Sequence, residues 1–134
     1  MRELKFRAWH KAERRFLSAS GKRWCISPHG RFCWWNDSGG WQESDECEVL
    51  MYTGLMDAHM KEIYEGDILM AFGYTLGERD TFKSTWLVVW NPHYNGGFSK
   101  KRGDVYLPLA TAIEENDEEE IIGNQYENPG LLQT

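Results

Sequence analysis

At 134 residues, 41% of them apolar and with seven Trp, six Tyr and six Phe, the chain has hydrophobic area enough for one domain or two small subdomains, which excludes the disordered and low-complexity classes. No apolar run approaches the roughly 20 residues a membrane span needs, and Met1-Arg2-Glu3-Leu4-Lys5-Phe6-Arg7 lacks the apolar core of a secretory signal, so a cytoplasmic protein without a membrane partner is expected. The net charge of −6 is unevenly spread: residues 1–35 hold nine Lys/Arg against Glu3 and Glu13, and the acids gather in the remainder.

In chain order, Glu3-Leu4-Lys5-Phe6-Arg7-Ala8 alternates polar and apolar residues with the period of a half-buried strand, its charges forming a solvated face. His10 to Arg14 is a polar connection to Arg15-Phe16-Leu17-Ser18-Ala19, which predicts a hairpin. Trp24-Cys25-Ile26 and Phe32-Cys33-Trp34-Trp35 flank Ser27-Pro28-His29-Gly30, predicting a second hairpin that sets Cys25 near Cys33. Asn36-Asp37-Ser38-Gly39-Gly40 breaks the chain, Glu43 to Glu48 reads as a surface connection, and Glu48 to Thr53 resumes an apolar run.

Further on, Tyr64-Glu65-Gly66-Asp67 precedes the apolar strand Ile68-Leu69-Met70-Ala71-Phe72. Two carboxylates that close invite a catalytic reading, but Gly66 answers a need for positive φ or close backbone approach, and Asp67 can accept from a nearby amide, so both are expected to be structural. Thr85-Trp86-Leu87-Val88-Val89-Trp90 is apolar on both faces and predicts a central strand, with Trp86, Val88 and Trp90 at the heart of the core. After the loop Asn91 to Gly97, Val105-Tyr106-Leu107-Pro108-Leu109 reads as an edge or bulged strand because of its proline. Glu120 to Tyr126 closes the set, and Leu107 to Asn116 holds the one candidate for a short helix. The expected class is mainly β, divided into a hairpin subdomain over 1–50 and a second region over 51–134.

Candidate chemistry is sparse. Cys25, Cys33 and Cys47 form an odd set without a C-x-x-C pair, which argues for reduced thiols and, even with His29, against a structural zinc site. Acidic and tryptophan neighbours do not favour a nucleophilic thiolate. Gly39-Gly40 and Gly96-Gly97 lack the lysine and strand-loop-helix setting of a phosphate loop and read as turns. Glu114 to Glu120, with six acids in seven residues, reads as a solvated loop. Neither a cofactor nor a metal is expected.

Three blocks carry a family resemblance. Met1-Arg2-Glu3-Leu4-Lys5-Phe6-Arg7-Ala8-Trp9 opens the chain; Tyr52-Thr53-Gly54-Leu55 with Glu62-Ile63-Tyr64-Glu65-Gly66-Asp67-Ile68 follows; Ile122-Gly123-Asn124-Gln125-Tyr126-Glu127-Asn128-Pro129 ends it. In this order they resemble the YopX family of phage and prophage proteins, to which no activity attaches. The resemblance implies an SH3-type β-barrel in the C-terminal part, with the Glu-Gly-Asp block opening a barrel strand. Two departures stand out: Asp57-Ala58-His59-Met60 lacks the glycine of the family's usual turn, and His10 replaces an acidic residue after the first Trp.

The segment from Trp24 to Trp41 lies outside the resemblance and is the place where a member-specific partner would dock. Trp34 and Trp35 point to opposite faces of a strand, so one is expected in the core and the other exposed or covered by another chain. Core or intramolecular packing of Trp34, Trp35 and Trp41 is the plain reading and base stacking a further one; on the interface reading they are the candidate partner-binding residues of a non-enzymatic binding or regulatory module that works through protein contacts, self-association included. The alternative is a nucleic-acid-binding protein using the basic, aromatic N-terminal third, which would need Arg14, Arg15, Lys22, Arg23 and Arg31 to converge. The acidic remainder makes that binding weak or absent.

Overall fold

The computed structural model describes residues 5–17, 24–74, 81–91, 97–110 and 119–132, those at 72–74, 81–82 and 91 by their backbone alone. Within them the protein is mainly β, with twelve antiparallel strands and one 3-10 turn at Pro129–Leu132. Two compact units divide it, one holding Leu4–Met51 and the other Tyr52–Thr134.

In the first unit, β1 (Phe6–His10) and β2 (Arg15–Phe16) form the expected hairpin, closed by Arg14 donating to the His10 carbonyl at 2.8 Å. The turn holds Arg14 at a φ of 53°. On its other side β1 pairs with the Cys47–Met51 half of β6 (Cys47–Met56). The charged face expected of β1 is not wholly solvated. Trp9 is buried edge-to-face on Phe16, with centroids 4.9 Å apart, and the Arg7 guanidinium lies 4.5 Å over the same Phe16 ring. A cation that can stack on an aromatic neighbour need not face solvent.

A separate three-stranded sheet runs β3 (Trp24–Ile26), β4 (Phe32–Asn36), β5 (Gly40–Glu43). Its first turn, Ser27 to Arg31, places Gly30 at a φ of 78°. Cys25 stands opposite Cys33 and both are free thiols. Ala8, Phe32 and Cys47 form the core of this unit, with Leu17, Trp24 and Val49 packed around it.

In the second unit the remaining half of β6 pairs with β7 (Glu62–Tyr64), and five strands align as β11 (Val105–Pro108), β10 (Gly97–Arg102), β9 (Thr81–Asn91), β8 (Asp67–Tyr74), β12 (Glu120–Asn124). Strand β9 is central, as its two-sided apolar pattern requires, and β11 with Pro108 at its end is an edge. Ile63, Leu69, Val88 and Leu109 make the core. Trp90 does not join them: it is 47% exposed, stacked edge-to-face on Phe98 near the end of its strand, so Val88 alone of the predicted trio is fully buried. Residues 109–110 are helical, and the rest of the segment to Asn116 lies outside the described residues. No described helix is long and apolar enough to cross a membrane.

Candidate functional site

Of the residues that carry the family resemblance, Phe6 to Trp9 lie in β1, whereas those of the two later blocks shape a bulge and turns. Gly66 sits at a φ of 86°, donates to the Val88 carbonyl at 2.9 Å and accepts from the Gln125 amide at 2.8 Å. A Cβ there would lie 2.9 Å from the Tyr126 ring, so backbone conformation and space both demand glycine. The Asp67 carboxylate is buried and accepts the Tyr64 amide at 2.8 Å, tying the turn to its own strand. Asn124 performs the same service for the last block, its Oδ1 accepting the amides of Tyr126 and Glu127. Gly123 leaves room for Asn128, whose Oδ1 would stand 2.5 Å from an added Cβ. Thr53 donates its hydroxyl to the Ile63 carbonyl and accepts the Leu55 amide, across a bulge in which Gly54 has a φ of 86°.

The glycine-free turn is closed by other means. Asp57 Oδ1 accepts the amides of His59 and Lys61, Oδ2 accepts that of Ile121 at 2.9 Å, and Met60 takes the left-handed conformation at a φ of 63°. Burial pushes the Asp57 carboxyl up, but those three amides more than offset it and hold the group below the ordinary aspartate value.

The acidic run is not uniformly solvated. Glu119 is fully buried in an ion pair with Lys100, whose ammonium also lies 4.6 Å over the Trp86 ring. Residues 111–118 lie outside the described residues. Among the described residues no three His, Cys, Asp or Glu side chains gather as metal ligands. Burial, and then Cys33, push the Cys25 thiol up; burial and then Glu46 do the same for Cys47. Both shifts work against a thiolate. A shallow cavity of about 290 Å³ lined by Thr85, Leu87, Lys101, Arg102, Gly103 and Leu132 brings together no acid and base.

The tryptophans of the three-stranded sheet are different. Trp34 is 42%, Trp35 38% and Trp41 51% exposed, so neither Trp34 nor Trp35 fills the core position expected for one of them. Phe32 and Cys33, one turn of the pleat earlier on the same two faces, occupy the interior instead. Trp35 and Trp41 are cross-strand partners, edge-to-face with centroids 5.5 Å apart, and Trp35 Nε1 donates to Asp37 at 2.9 Å. Trp34, on the opposite face, pairs across to Trp24 and Gln42. Around them Arg31 donates to Glu43 at 3.2 Å and Asp45 at 2.5 Å, and His29 bonds Glu43 at 2.8 Å. The bond from His29 is the main reason the Glu43 carboxyl lies below its ordinary value.

Of the basic residues invoked for nucleic acid, Arg14 shapes the β1–β2 turn. Arg15 is paired with Glu13 and Arg31 with Glu43 and Asp45, and Lys22 and Arg23 lie outside the described residues.

Comparison with known proteins agrees with the three blocks: the model of the YopX protein family matches residues 5–133. The chain belongs to the YopX family. No curated protein matches it. Among solved structures, the crystal structure of protein EF1440 from Enterococcus faecalis is similar in fold, with a TM-score of 0.59 and 24% identity over 97% of this chain and 98% of that one. Sequence reasoning missed the exposure of Trp90 and the burial of Glu119 and Lys100, for which no local pattern was a guide.

Proposed function

We propose that this YopX-family protein is a phage- or prophage-encoded, non-enzymatic binding or regulatory module that acts in the host cytoplasm through protein contacts, with Trp34, Trp35 and Trp41 as the contact surface. The observation that carries the reading is three tryptophans, each more than a third exposed, on one small sheet, Trp35 and Trp41 paired on one face and Trp34 on the other. Exposed aromatic clusters of that kind are scarce on monomers and are the side chains that dominate protein interfaces. For the five-stranded sheet with β7 beside it we propose the SH3-type barrel: antiparallel strands in meander order, with β12 returning to β8, suit that closure.

Affinity capture on the immobilised protein from cells carrying the phage or prophage, with and without nuclease, tests the function. A protein retained after nuclease and lost from the Trp34→Ala/Trp35→Ala/Trp41→Ala variant is the expected result. Capture abolished by nuclease, or unchanged in the folded variant, would overturn the reading.

A further inference from the structure

Strand β5 is the edge of its sheet: β4 lies on one side and no described strand on the other. In an antiparallel ladder alternate residues turn their N–H and C=O groups toward opposite neighbours. Ser44 donates to the Phe32 carbonyl at 2.9 Å, which fixes the phase, so residues 40, 42 and 44 address β4. Trp41 and Glu43 therefore present their backbone groups to the free edge. An open edge is a template for another extended strand, and edges that are to stay unpaired are usually guarded by charged side chains, lysine above all, by proline, by short length or by a covering element; the one charge on β5 is Glu43. β5, Gly-Trp-Gln-Glu, carries neither lysine nor proline.

The chain that runs from the end of β4 through β5 into β6 carries charge of one sign. From Asn36 to Glu48 the chain contains Asp37, Glu43, Asp45, Glu46 and Glu48, all exposed, and no Lys or Arg. Arg31, held by Glu43 and Asp45, offsets only one of them. Beside the carboxylates stand Trp41 and Trp35, and an indole face attracts a guanidinium or ammonium group. We infer that the β5 edge accepts an extended, basic segment of a partner protein as a fourth strand. Its backbone pairs with Trp41 and Glu43, and its Arg or Lys side chains on one face lie against the Trp35–Trp41 pair and the acidic rim. A second copy of β5 is the poorer occupant, since antiparallel pairing brings the Glu43 and Asp45 carboxylates of the two chains together, and a polyanion meets the same repulsion. The inference rests on the reading of this face as a protein interface and adds its partner's chemistry and mode of docking.

Fluorescence anisotropy with three labelled ten-residue peptides tests it: alternating Arg and Val, alternating Glu and Val, and the Arg/Val peptide N-methylated at alternate amides. The Arg/Val peptide should bind saturably, at least about tenfold more tightly than the other two, and more weakly as salt rises. Trp35→Ala/Trp41→Ala should weaken it by about tenfold or more, and so should Trp41→Lys, which sits at a half-exposed position and leaves the backbone ladder intact. Equal binding of the Glu/Val or the N-methylated peptide, or binding indifferent to Trp41→Lys, would overturn the proposal. So would a dimer in sedimentation that Trp41→Lys dissolves, because it would give the edge to a second copy. If the basic peptide fails while host capture still depends on Trp34, Trp35 and Trp41, this inference falls and the interface reading stands. If the peptide binds but host capture ignores the tryptophans, the interface reading falls alone.

Discussion

The two units invert each other's habits. In the first, three tryptophans stand partly in solvent on a small sheet; in the second, a lysine and a glutamate are shut away from it between strands. Each arrangement runs against the ordinary direction of burial, and the costs differ. An indole that stands partly in solvent has forgone part of its hydrophobic stabilisation, so less is lost when the side chain is removed. A buried charge has given up its hydration and depends on its partner, and here the second oxygen of Glu119 and the hydroxyl of Ser99 are buried without a hydrogen bond among the described residues. Exposure in the first unit thus marks a surface open to contact, whereas burial in the second marks structure.

That contrast is broken most severely at Glu119. Glu119→Ala should cost about 3–5 kcal/mol in denaturant unfolding, because the Lys100 ammonium is left without its anion, while Lys100→Met/Glu119→Leu should be neutral or more stable. A Glu119→Ala protein as stable as the parent would mean that the pair is not shut away.

Gly66→Ala should cost about 2 kcal/mol in thermal or denaturant unfolding, from the φ of 86° and the added Cβ at 2.9 Å from the Tyr126 ring. An unchanged midpoint would show that the two turns give way to each other.

Asp57 sharpens the comparison through pH. Its folded carboxyl lies below the ordinary aspartate value, so its contribution is fully present above about pH 4 and is lost as pH falls through the lower folded value. Unfolding midpoints measured down the acid limb should therefore fall less steeply for Asp57→Asn than for the parent; parallel curves would deny the role.

The smallest effects belong to the first unit. Trp34→Ala, Trp35→Ala and Trp41→Ala should each shift stability by less than about 1 kcal/mol, the cross-strand pair accounting for most of it, against the several kcal/mol typical of a buried tryptophan. A loss of about 3 kcal/mol at any of them would place that indole in the core.

Much of this architecture is legible in the sequence where local chemistry decides. The hairpins at His10–Arg15 and Ser27–Arg31, the turn at Gly66 and the centrality of β9 follow from turn residues and two-sided apolar pattern. β5 and β10 do not: Gly40-Trp41-Gln42-Glu43 and Gly97-Phe98-Ser99-Lys100-Lys101-Arg102 begin at glycines and are polar, and they are strands only because β4 and β9 offer them a ladder. The acidic run hides Glu119 for a similar reason, since a carboxylate's solvation depends on a lysine 19 positions away. For the candidate site the sequence marks Trp34, Trp35 and Trp41 as unusual, but which faces are covered depends on Phe32 and Cys33 filling the interior first.

Lys100 also gives the second unit a chemical clock. Lys100 is 5% exposed and its amine is held by Glu119, whereas Lys101 is only half-buried and Lys83 is exposed, so an amine-reactive reagent meets those two at once and Lys100 only when the sheet opens. The modification rate of that single lysine, followed by peptide mass against its neighbour Lys101, reads out how often β10 parts from the residues that enclose it.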